Sequence, residues 1–206
     1  LFSANPGSTP GPLGKVASGE ALVVLAQQER KARYRLDICD TSASESGGHW
    51  TVNGAKSVVP AGDKADAFLV PAMVGERMAL LLVERTANGV TTRGYGTQDS
   101  SRAAELTLKD APATLVTLDG LTALEHGVDV GIAATCAEGV GVMDKTLAIT
   151  VEYMNTRKQF GVPIASFQAL RHRVADLKMQ LELARSMSYY ASLKLQLPAP
   201  ERRAAM

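Results

Sequence analysis

The sequence has 206 residues, of which 46% are hydrophobic, so it is long enough to bury a substantial core in one domain or two small ones. Its 22 basic and 21 acidic residues nearly cancel. This balance removes the electrostatic reason to expect nucleic acid or an anionic membrane as the main partner, and favours a small molecule or another protein.

Two further classes of protein are disfavoured. Cys39 and Cys136 lie far apart and have no CxxC or Cys/His spacing, so the sequence indicates neither a disulfide framework nor a metal site. No apolar run approaches the roughly 20 residues that span a bilayer, and the N-terminus lacks the pattern of a signal peptide. We therefore expect a cytoplasmic protein.

The first segment, residues 1–19, contains three prolines and four glycines. This density predicts a linker or connecting loop without a regular element. The chain begins without a methionine and stops abruptly at Met206, so we expect it to be part of a longer protein.

Residues 20–118 consist of short, β-rich apolar runs separated by turn residues, a pattern that predicts an antiparallel β-barrel or sandwich. Trp50 and Val52 alternate with polar residues before Asn53-Gly54. Because Asn-Gly is the strongest short hairpin signal, we predict a hairpin turn there, with a second strand from Ala55. Other turns are predicted at residues 60–63 and 88–89.

Residues 119–206 change to a helical period and are predicted to be an incomplete helical domain. Two long helices joined by a short connection form an antiparallel pair, and Ser166 is the predicted N-cap of the second. Neither apolar stripe can be buried by this pair alone, so we expect further helices or other subunits to cover them. The predicted stripes are Ile132, Cys136, Val140, Met143, Leu147, Val151 and Met154 in the first helix, and Phe167, Leu170, Val174, Leu177, Leu181 and Ala184 in the second.

The connection between the two helices carries the most distinctive motif of the chain. Arg157, Lys158, Gln159 and Phe160 project together where the first helical pattern stops, a cluster that suits a phosphate-bearing ligand or a partner surface. The run R-x-Q-F-G-x-P-I-x-x-F-Q, followed by an Ala-Asp pair, resembles the C-terminal helical-domain signature of the acyl-CoA dehydrogenase family. The motif G-x-W-x-x-N-G-x-K, which ends at Lys56, and the pair Ala65-Asp66 resemble the middle domain of the same family.

The resemblance implies an α+β fold. Family members have an N-terminal helical domain, a middle β-barrel and a C-terminal four-helix bundle. This chain is then expected to hold the middle domain and the first long antiparallel helices of the bundle, while the N-terminal helical domain and the last helices are not in this chain.

The resemblance also implies an activity. Family enzymes use FAD for α,β-desaturation of an acyl-CoA thioester to the trans-2-enoyl-CoA. A carboxylate takes the α-proton, the flavin takes a hydride, and an electron-transfer flavoprotein accepts the electrons. Substrate, cofactor and partner are expected accordingly, as are a role in fatty acid β-oxidation and a homo- or hetero-tetramer with a paralogous subunit. Acyl-CoA oxidase activity, with oxygen as acceptor, stays open as an alternative.

By resemblance, Arg157, Gln159, Phe160 and Gln168 contact the pyrophosphate and adenosine side of an FAD that a neighbouring subunit mainly holds. Arginine suits this role because its forked donors match phosphate oxygens.

Three elements depart from the family pattern. The small T-E-x-x-A-G-S-D loop is replaced by the bulky, basic residues 28–35, which begin at Gln28. The aromatic-Ile-Thr trio that lies against the flavin becomes Val58, Val59 and Pro60, and proline has no N–H to donate. In the L-D-x-x-R element, whose Arg helps hold CoA, Asp129 survives while the Arg becomes Ile132.

These departures remove groups with which the subunit would bind its own flavin. They leave unchanged the motif at residues 157–168, which reaches a neighbour's flavin. We therefore expect a half-site subunit, most like the small subunits of heteromeric enzymes such as pimeloyl-CoA dehydrogenase. The base is expected outside this chain; the candidates within it are Glu125 and Asp129, and Asp129 is also a candidate substrate contact. The alternative is a non-catalytic scaffold subunit that completes the FAD site of a paralogous partner.

Overall fold

The structure, a computed structural model, describes residues 12–206. The chain divides into two compact units, the first ending at His126 and the second running from Gly127 to Met206. The first eleven residues of the predicted linker lie outside the described residues. Contrary to the prediction of an irregular segment, Pro12–Ser18 form a short helix, α1. Pro12 begins this helix, where its missing N–H costs nothing because the first N–H groups of a helix have no intrahelical partner.

The first unit is built around a sheet of seven strands. These are β1 (Val23–Leu25), β2 (Ser42–Ser46), β3 (His49–Pro60), β4 (Ala67–Val74), β5 (Arg77–Glu84), β6 (Val90–Gly96) and β7 (Arg102–Thr117). The pairings β4-β2-β3-β7-β5-β4 return to their starting strand, so the sheet closes like a barrel. Closure leaves no free edge within this ring, and the edge strands β1 and β6 pair from outside it.

The prediction of a purely antiparallel sheet is wrong. Strand β1 pairs with β4 in parallel, with Val23 opposite Ala67, and Ser42 of β2 also lies parallel to Met73 of β4. In sequence, β2 and β3 separate β1 from β4, and β3 separates β2 from β4. No tight turn joins the paired strands, so local sequence patterns do not reveal these parallel pairings. The interior is filled by small and β-branched side chains together with Phe68, Leu81 and Leu106, and Trp50 packs against this core as a half-buried neighbour.

The predicted hairpin at Asn53-Gly54 is also wrong. Strand β3 is continuous from His49 to Pro60, and the turn that enters it is Gly47-Gly48, both at positive φ. Asn53-Gly54 instead lies inside β3, opposite a bulge of β7: between the pairs Val52–Ala111 and Gly54–Leu108, β3 has one residue and β7 has two. The predicted turns at residues 60–63 and 88–89 are confirmed, since β3 ends at Pro60 and β6 begins at Val90.

The helical part consists of α2 (Gly120–Thr156), α3 (Gln168–Lys194) and the short α4 (Ala199–Arg203). Helix α3 runs back along α2 as predicted, with Arg185 Nη2 3.4 Å from Asp144 Oδ1. The predicted cap is wrong, because Phe167 is the N-cap of α3 and Ser166 lies in a preceding 3-10 turn, where its hydroxyl donates to the Pro163 carbonyl. Among the described residues, no helix is long and apolar enough to cross a membrane.

Candidate cofactor-binding hairpin and neighbouring sites

A two-stranded hairpin follows the end of α2. Its strands are β8 (Lys158–Gln159) and β9 (Val162–Pro163), which pair antiparallel. The two turn residues, Phe160 and Gly161, have φ of 52° and 81°. Positive φ at both central positions matches the right-handed twist of a tight hairpin, and glycine adopts it freely. Phenylalanine does not, and strained positions of this kind cluster at functional sites.

The hairpin presents three of the four residues predicted to contact the cofactor. Phe160 is 92% exposed, and its ring touches that of Phe167 edge to face at 6.1 Å between centroids. The Arg157 side chain is exposed and has no ion pair or hydrogen bond to any of residues 12–206. Gln159 donates from Nε2 to the Lys158 carbonyl at 2.8 Å, which leaves its own amide oxygen available. The fourth predicted residue, Gln168, is the exposed first residue of α3.

An open groove of about 620 Å³ lies beside the hairpin, between the end of α2 and the start of α3. Its lining is mostly apolar, with Met154, Pro163 and Val174 among its members, and it also holds two cations, Arg171 and Lys178, and the polar residues Asn155 and Ser166. A groove with this composition can receive an apolar segment that carries a negative charge.

The predicted own-flavin positions lie together in the first unit. Ser57 N–H donates to the Gln28 carbonyl at 2.8 Å, which holds Gln28 against the end of β3. Val58 is 44% exposed and has φ of 50°, a conformation that costs a β-branched residue energy. Val59, by contrast, is buried in the barrel core, and Pro60 ends the strand.

The Val58 N–H already donates to a carboxylate, that of Glu105. Glu105 Oε1 accepts the Val58 N–H at 3.4 Å and the Tyr95 hydroxyl at 3.1 Å, and Glu105 Oε2 lies 3.5 Å from Arg30 Nη2. A flavin at Val58 would therefore meet an acidic group and, at Pro60, a residue with no N–H.

The structure reveals a buried ion pair that the sequence analysis missed. Lys56 Nζ, whose side chain is fully buried, lies 2.7 Å from Glu29 Oε1 and donates to the Pro71 carbonyl at 2.8 Å. Cys39 Sγ lies 3.7 Å from the same nitrogen, and burial raises the pKa of the Cys39 thiol. The available signal was Lys56 itself, because a lysine within a strand that faces a barrel core requires an acidic partner.

Glu29 stays ionised despite its burial. Removal from water, the largest single influence, favours the protonated carboxyl. Hydrogen bonds from Lys56, the Thr41 hydroxyl and the Asp40 N–H outweigh it and lower the pKa of Glu29 from 4.5 to about 2. The carboxylate thus links the segment at Glu29 to the segment at Asp40 and Thr41.

The two candidate bases differ in their surroundings. Asp129 is buried, and its Oδ2 accepts from Arg202 Nε at 2.7 Å while Arg203 Nη1 lies 3.8 Å from Oδ1. A carboxylate held between two guanidinium groups is fixed in place rather than presented to a ligand. Glu125 is half-buried on α2, and Ile132, the residue predicted to replace an arginine of the family pattern, is half-buried on the same helix.

Comparison with known proteins places the chain among relatives of one family. A family model described as "Acyl-CoA dehydrogenase, C-terminal domain" matches residues 119–206. The chain is 31% identical over 189 residues to the probable acyl-CoA dehydrogenase YngJ of Bacillus subtilis. The match covers 85% of this chain and 50% of YngJ.

Two solved structures share the fold over most of the described chain. The butyryl-CoA dehydrogenase of Megasphaera elsdenii gives a TM-score of 0.83 at 28% identity and covers 89% of this chain and 52% of that chain. The Tcur3481-Tcur3483 steroid ACAD gives 0.80 at 31% identity and covers 94% and 52%. This chain belongs to the acyl-CoA dehydrogenase family.

As an acyl-CoA dehydrogenase family member, the chain spans about half the length of the relatives it matches. The family consists of oxidoreductases with FAD as cofactor. The hairpin residues fit this cofactor, because an unpaired guanidinium and an exposed ring supply a phosphate ligand and an apolar contact. The Val58–Pro60 stretch does not fit it, because Glu105 takes the Val58 N–H and Pro60 has none.

Proposed function

We propose that this chain is a subunit of an FAD-dependent acyl-CoA dehydrogenase that takes part in α,β-desaturation of an acyl-CoA thioester to the trans-2-enoyl-CoA. Electrons would pass from FAD to an electron-transfer flavoprotein. The observation that carries the proposal is the hairpin, where Phe160 is 92% exposed in a left-handed conformation beside Arg157, whose side chain has no partner among residues 12–206. Residues 20–118 would form the β-barrel domain and residues 119–206 the incomplete helical domain.

The hairpin residues would hold the diphosphate and adenosine part of the cofactor. The Arg157 guanidinium offers forked donors to diphosphate oxygens, which suits a planar, permanently charged group. Phe160 covers an apolar face of the ligand, and the amides of Gln159 and Gln168 donate to or accept from its polar edges. When bound, FAD supplies the hydride acceptor; this chain's residues bind it and exclude water from one side of it.

The second candidate function is a non-catalytic scaffold subunit that completes the FAD site of a paralogous partner. The contacts of Glu105 favour it, because the carboxylate occupies the Val58 N–H on the segment that would face this subunit's own flavin. Under this function, Arg157, Gln159, Phe160 and Gln168 serve only the partner's cofactor. Asp129 is bound to Arg202, so the base and the substrate contacts come from elsewhere in the assembly.

Flavin absorbance and molar mass test the proposal. The full-length protein is expressed alone and together with a paralogous acyl-CoA dehydrogenase subunit of the same organism. Visible absorbance then gives FAD per chain, and light scattering gives the mass. We expect flavin only in the mixed assembly, at one FAD per pair of chains. A yellow homotetramer with one FAD per chain would instead show that the chain binds its own FAD despite Val58 and Pro60.

The variant Arg157→Ala tests whether this residue contributes to FAD binding. Arg157→Ala is expected to lower bound FAD by at least tenfold, since it removes a charged phosphate contact worth about 1.5–3 kcal/mol. Arg173→Ala removes another exposed arginine, on α3, and is the control. Equal FAD retention by both variants would contradict the role of Arg157.

A further inference from the structure

The sequence contains two Asn-Gly pairs, Asn53-Gly54 and Asn88-Gly89. One pair is flanked by valine and alanine, and the other by alanine and valine. An asparagine before glycine is chemically labile, because a glycine nitrogen with no β-carbon beside it can attack the asparagine side-chain carbonyl. Since the two pairs have nearly the same neighbours in sequence, the fold decides which of them reacts.

The pair Asn88-Gly89 lies in the turn between β5 and β6, and both of its residues are exposed. Within residues 12–206, neither the Asn88 side chain nor the Gly89 N–H has a hydrogen-bond partner. The reaction requires the Asn88 side-chain carbon to approach the Gly89 nitrogen. Here no hydrogen bond has to break before the two atoms meet, and water reaches the turn directly.

The pair Asn53-Gly54 is held in place on every side. Asn53 Nδ2 donates to Asp110 Oδ1, and Asn53 Oδ1 accepts the Asp110 N–H, each at 2.8 Å. The backbone is paired as well, with Asn53 opposite Ser42 of β2 and Gly54 opposite Leu108 of β7. Closing a ring at Asn53 would break both side-chain hydrogen bonds and bend a strand that is paired on two sides, so it requires local unfolding of the barrel.

We propose that Asn88 is a site of spontaneous deamidation and that the fold suppresses the same reaction at Asn53. The Gly89 nitrogen bonds to Asn88 Cγ and gives up its proton, while the Cγ–Nδ2 bond breaks and ammonia leaves with that proton. Water then opens the resulting five-membered succinimide at either carbonyl, which gives aspartate or isoaspartate. Neither an oxidant nor a reductant takes part, and the inference is independent of the proposed function.

The product changes the turn in two ways. Both products add a negative charge, and isoaspartate also adds one carbon to the main chain. The turn has little room for a longer main chain, because the Gly89 carbonyl accepts the Lys109 N–H at 3.0 Å and a Cβ on Gly89 would lie 1.9 Å from the Lys109 carbonyl oxygen. We therefore expect isoaspartate to loosen the start of β6, where Val90 pairs with Leu108 of β7.

The experiment measures the rate of deamidation at both sites in the same sample. The full-length protein is aged at mildly alkaline pH, once folded and once in concentrated urea, and peptide mass spectrometry gives the deamidated fraction at each asparagine. In the folded protein, Asn88 is expected to react at least tenfold faster than Asn53, because Asn53 reacts only when the barrel opens. In urea the two rates are expected to agree within twofold, because the flanking residues are alike.

A second measurement detects isoaspartate itself. A carboxyl methyltransferase specific for isoaspartate transfers a methyl group from S-adenosylmethionine to the aged, folded protein, and the methyl groups are counted. Asn88→Gln, whose longer side chain would have to close a less favourable six-membered ring, is expected to lower this count at least fivefold. Asn155→Gln, at an exposed asparagine of α2 that precedes threonine, is the matched control and is expected to leave the count unchanged.

Three results would overturn the proposal. Rates at Asn53 and Asn88 within twofold of each other in the folded protein would show that the strand gives no protection. The same rate ratio in the folded protein and in urea would assign the difference to the flanking residues rather than to the fold. An unchanged methyl count for Asn88→Gln would place the isoaspartate elsewhere in the chain.

Discussion

Lys56 and Glu29 show how one buried pair can fix the course of a loop, here the segment between Glu29 and Thr41. Lys56 comes from β3, Glu29 and Thr41 from the two ends of the loop, and the Pro71 carbonyl from β4. Burying two charges is costly, and only a full set of hydrogen bonds offsets that cost. The pair therefore specifies where the loop leaves and rejoins the barrel.

Removing one member of the pair is expected to destabilise the fold strongly. Lys56→Met leaves the Glu29 carboxylate buried without its cation, a loss of about 3–5 kcal/mol. The double variant Lys56→Met, Glu29→Gln removes both charges and keeps a side-chain oxygen for the Asp40 N–H, so much of this loss is expected to be recovered. Urea unfolding of the single and double variants measures the difference. A double variant no more stable than Lys56→Met would contradict the ion pair as the cause.

The same pair predicts a dependence of stability on pH. The pKa of Glu29 falls from 4.5 to about 2 on folding, so the unfolded chain binds the proton more readily than the folded one. The stabilisation is present in full above pH 4.5 and is lost as the pH falls towards 2. Urea midpoints between pH 7 and 2.5 should show wild type losing its advantage over Glu29→Gln across that range. A constant gap would contradict the assignment.

At the scale of single elements, β3 shows why a strong local signal can mislead. Asn53-Gly54 is typical of a hairpin turn, yet here it lies inside one strand, opposite a bulge of β7. Asn53 and Asp110 exchange two hydrogen bonds, Nδ2 to Oδ1 and Asp110 N–H to Asn53 Oδ1, each 2.8 Å long. Gly54 is needed for a different reason, which is the close approach of Thr41.

Gly54→Ala is expected to destabilise the barrel. An added Cβ would lie 2.5 Å from Thr41 Oγ1 and 2.8 Å from Thr41 Cα, and the hydroxyl cannot retreat because Glu29 holds it at 2.7 Å. Overpacking of this kind costs about 1–3 kcal/mol. Gly96→Ala is the control, because a Cβ there meets nothing within 4 Å. Equal urea midpoints for the two variants would show that the barrel adapts around Thr41.

The helices were easier to predict than the strands. Of the predicted stripes, Val140, Met154 and Leu181 are buried, whereas Cys136, Met143, Val151 and Leu177 are exposed. The exposed members agree with the expectation that the helix pair alone cannot cover both stripes. Helix α3 also carries a second apolar stripe, which the prediction omitted. Its members are Met179, Leu183, Met187, Tyr190 and Leu193, which are between 47% and 77% exposed.

At the scale of the whole molecule, this second stripe bears on assembly. Single exposed apolar residues are normal on a protein surface, but here five large apolar side chains form a continuous exposed patch along one face of a helix. We expect other helices or subunits of the oligomer to cover them. Leu183→Glu places a charge in the middle of the stripe and should reduce the mass of the full-length assembly by at least half.

Light scattering of the full-length protein, with the paralogous subunit present, measures that change. Gln180→Glu introduces the same charge at an exposed polar position of α3 and should leave the mass unchanged. An unaltered mass for Leu183→Glu would show that this stripe lies outside the assembly contacts.

The sequence by itself determined the division into a β-rich part and a helical part, the antiparallel helices and the motif in the short connection between them, because each depends on residues near one another in the chain. Periodicity and turn chemistry act over a few residues, and Arg157 to Phe160 are consecutive. Only the tertiary structure decided the mixed, closed barrel, the bulge of β7 opposite Asn53, and the ion pairs of Glu29 with Lys56 and of Asp129 with Arg202. These features join residues 27 and 73 positions apart, and their energies depend on burial and on partners that no local pattern specifies.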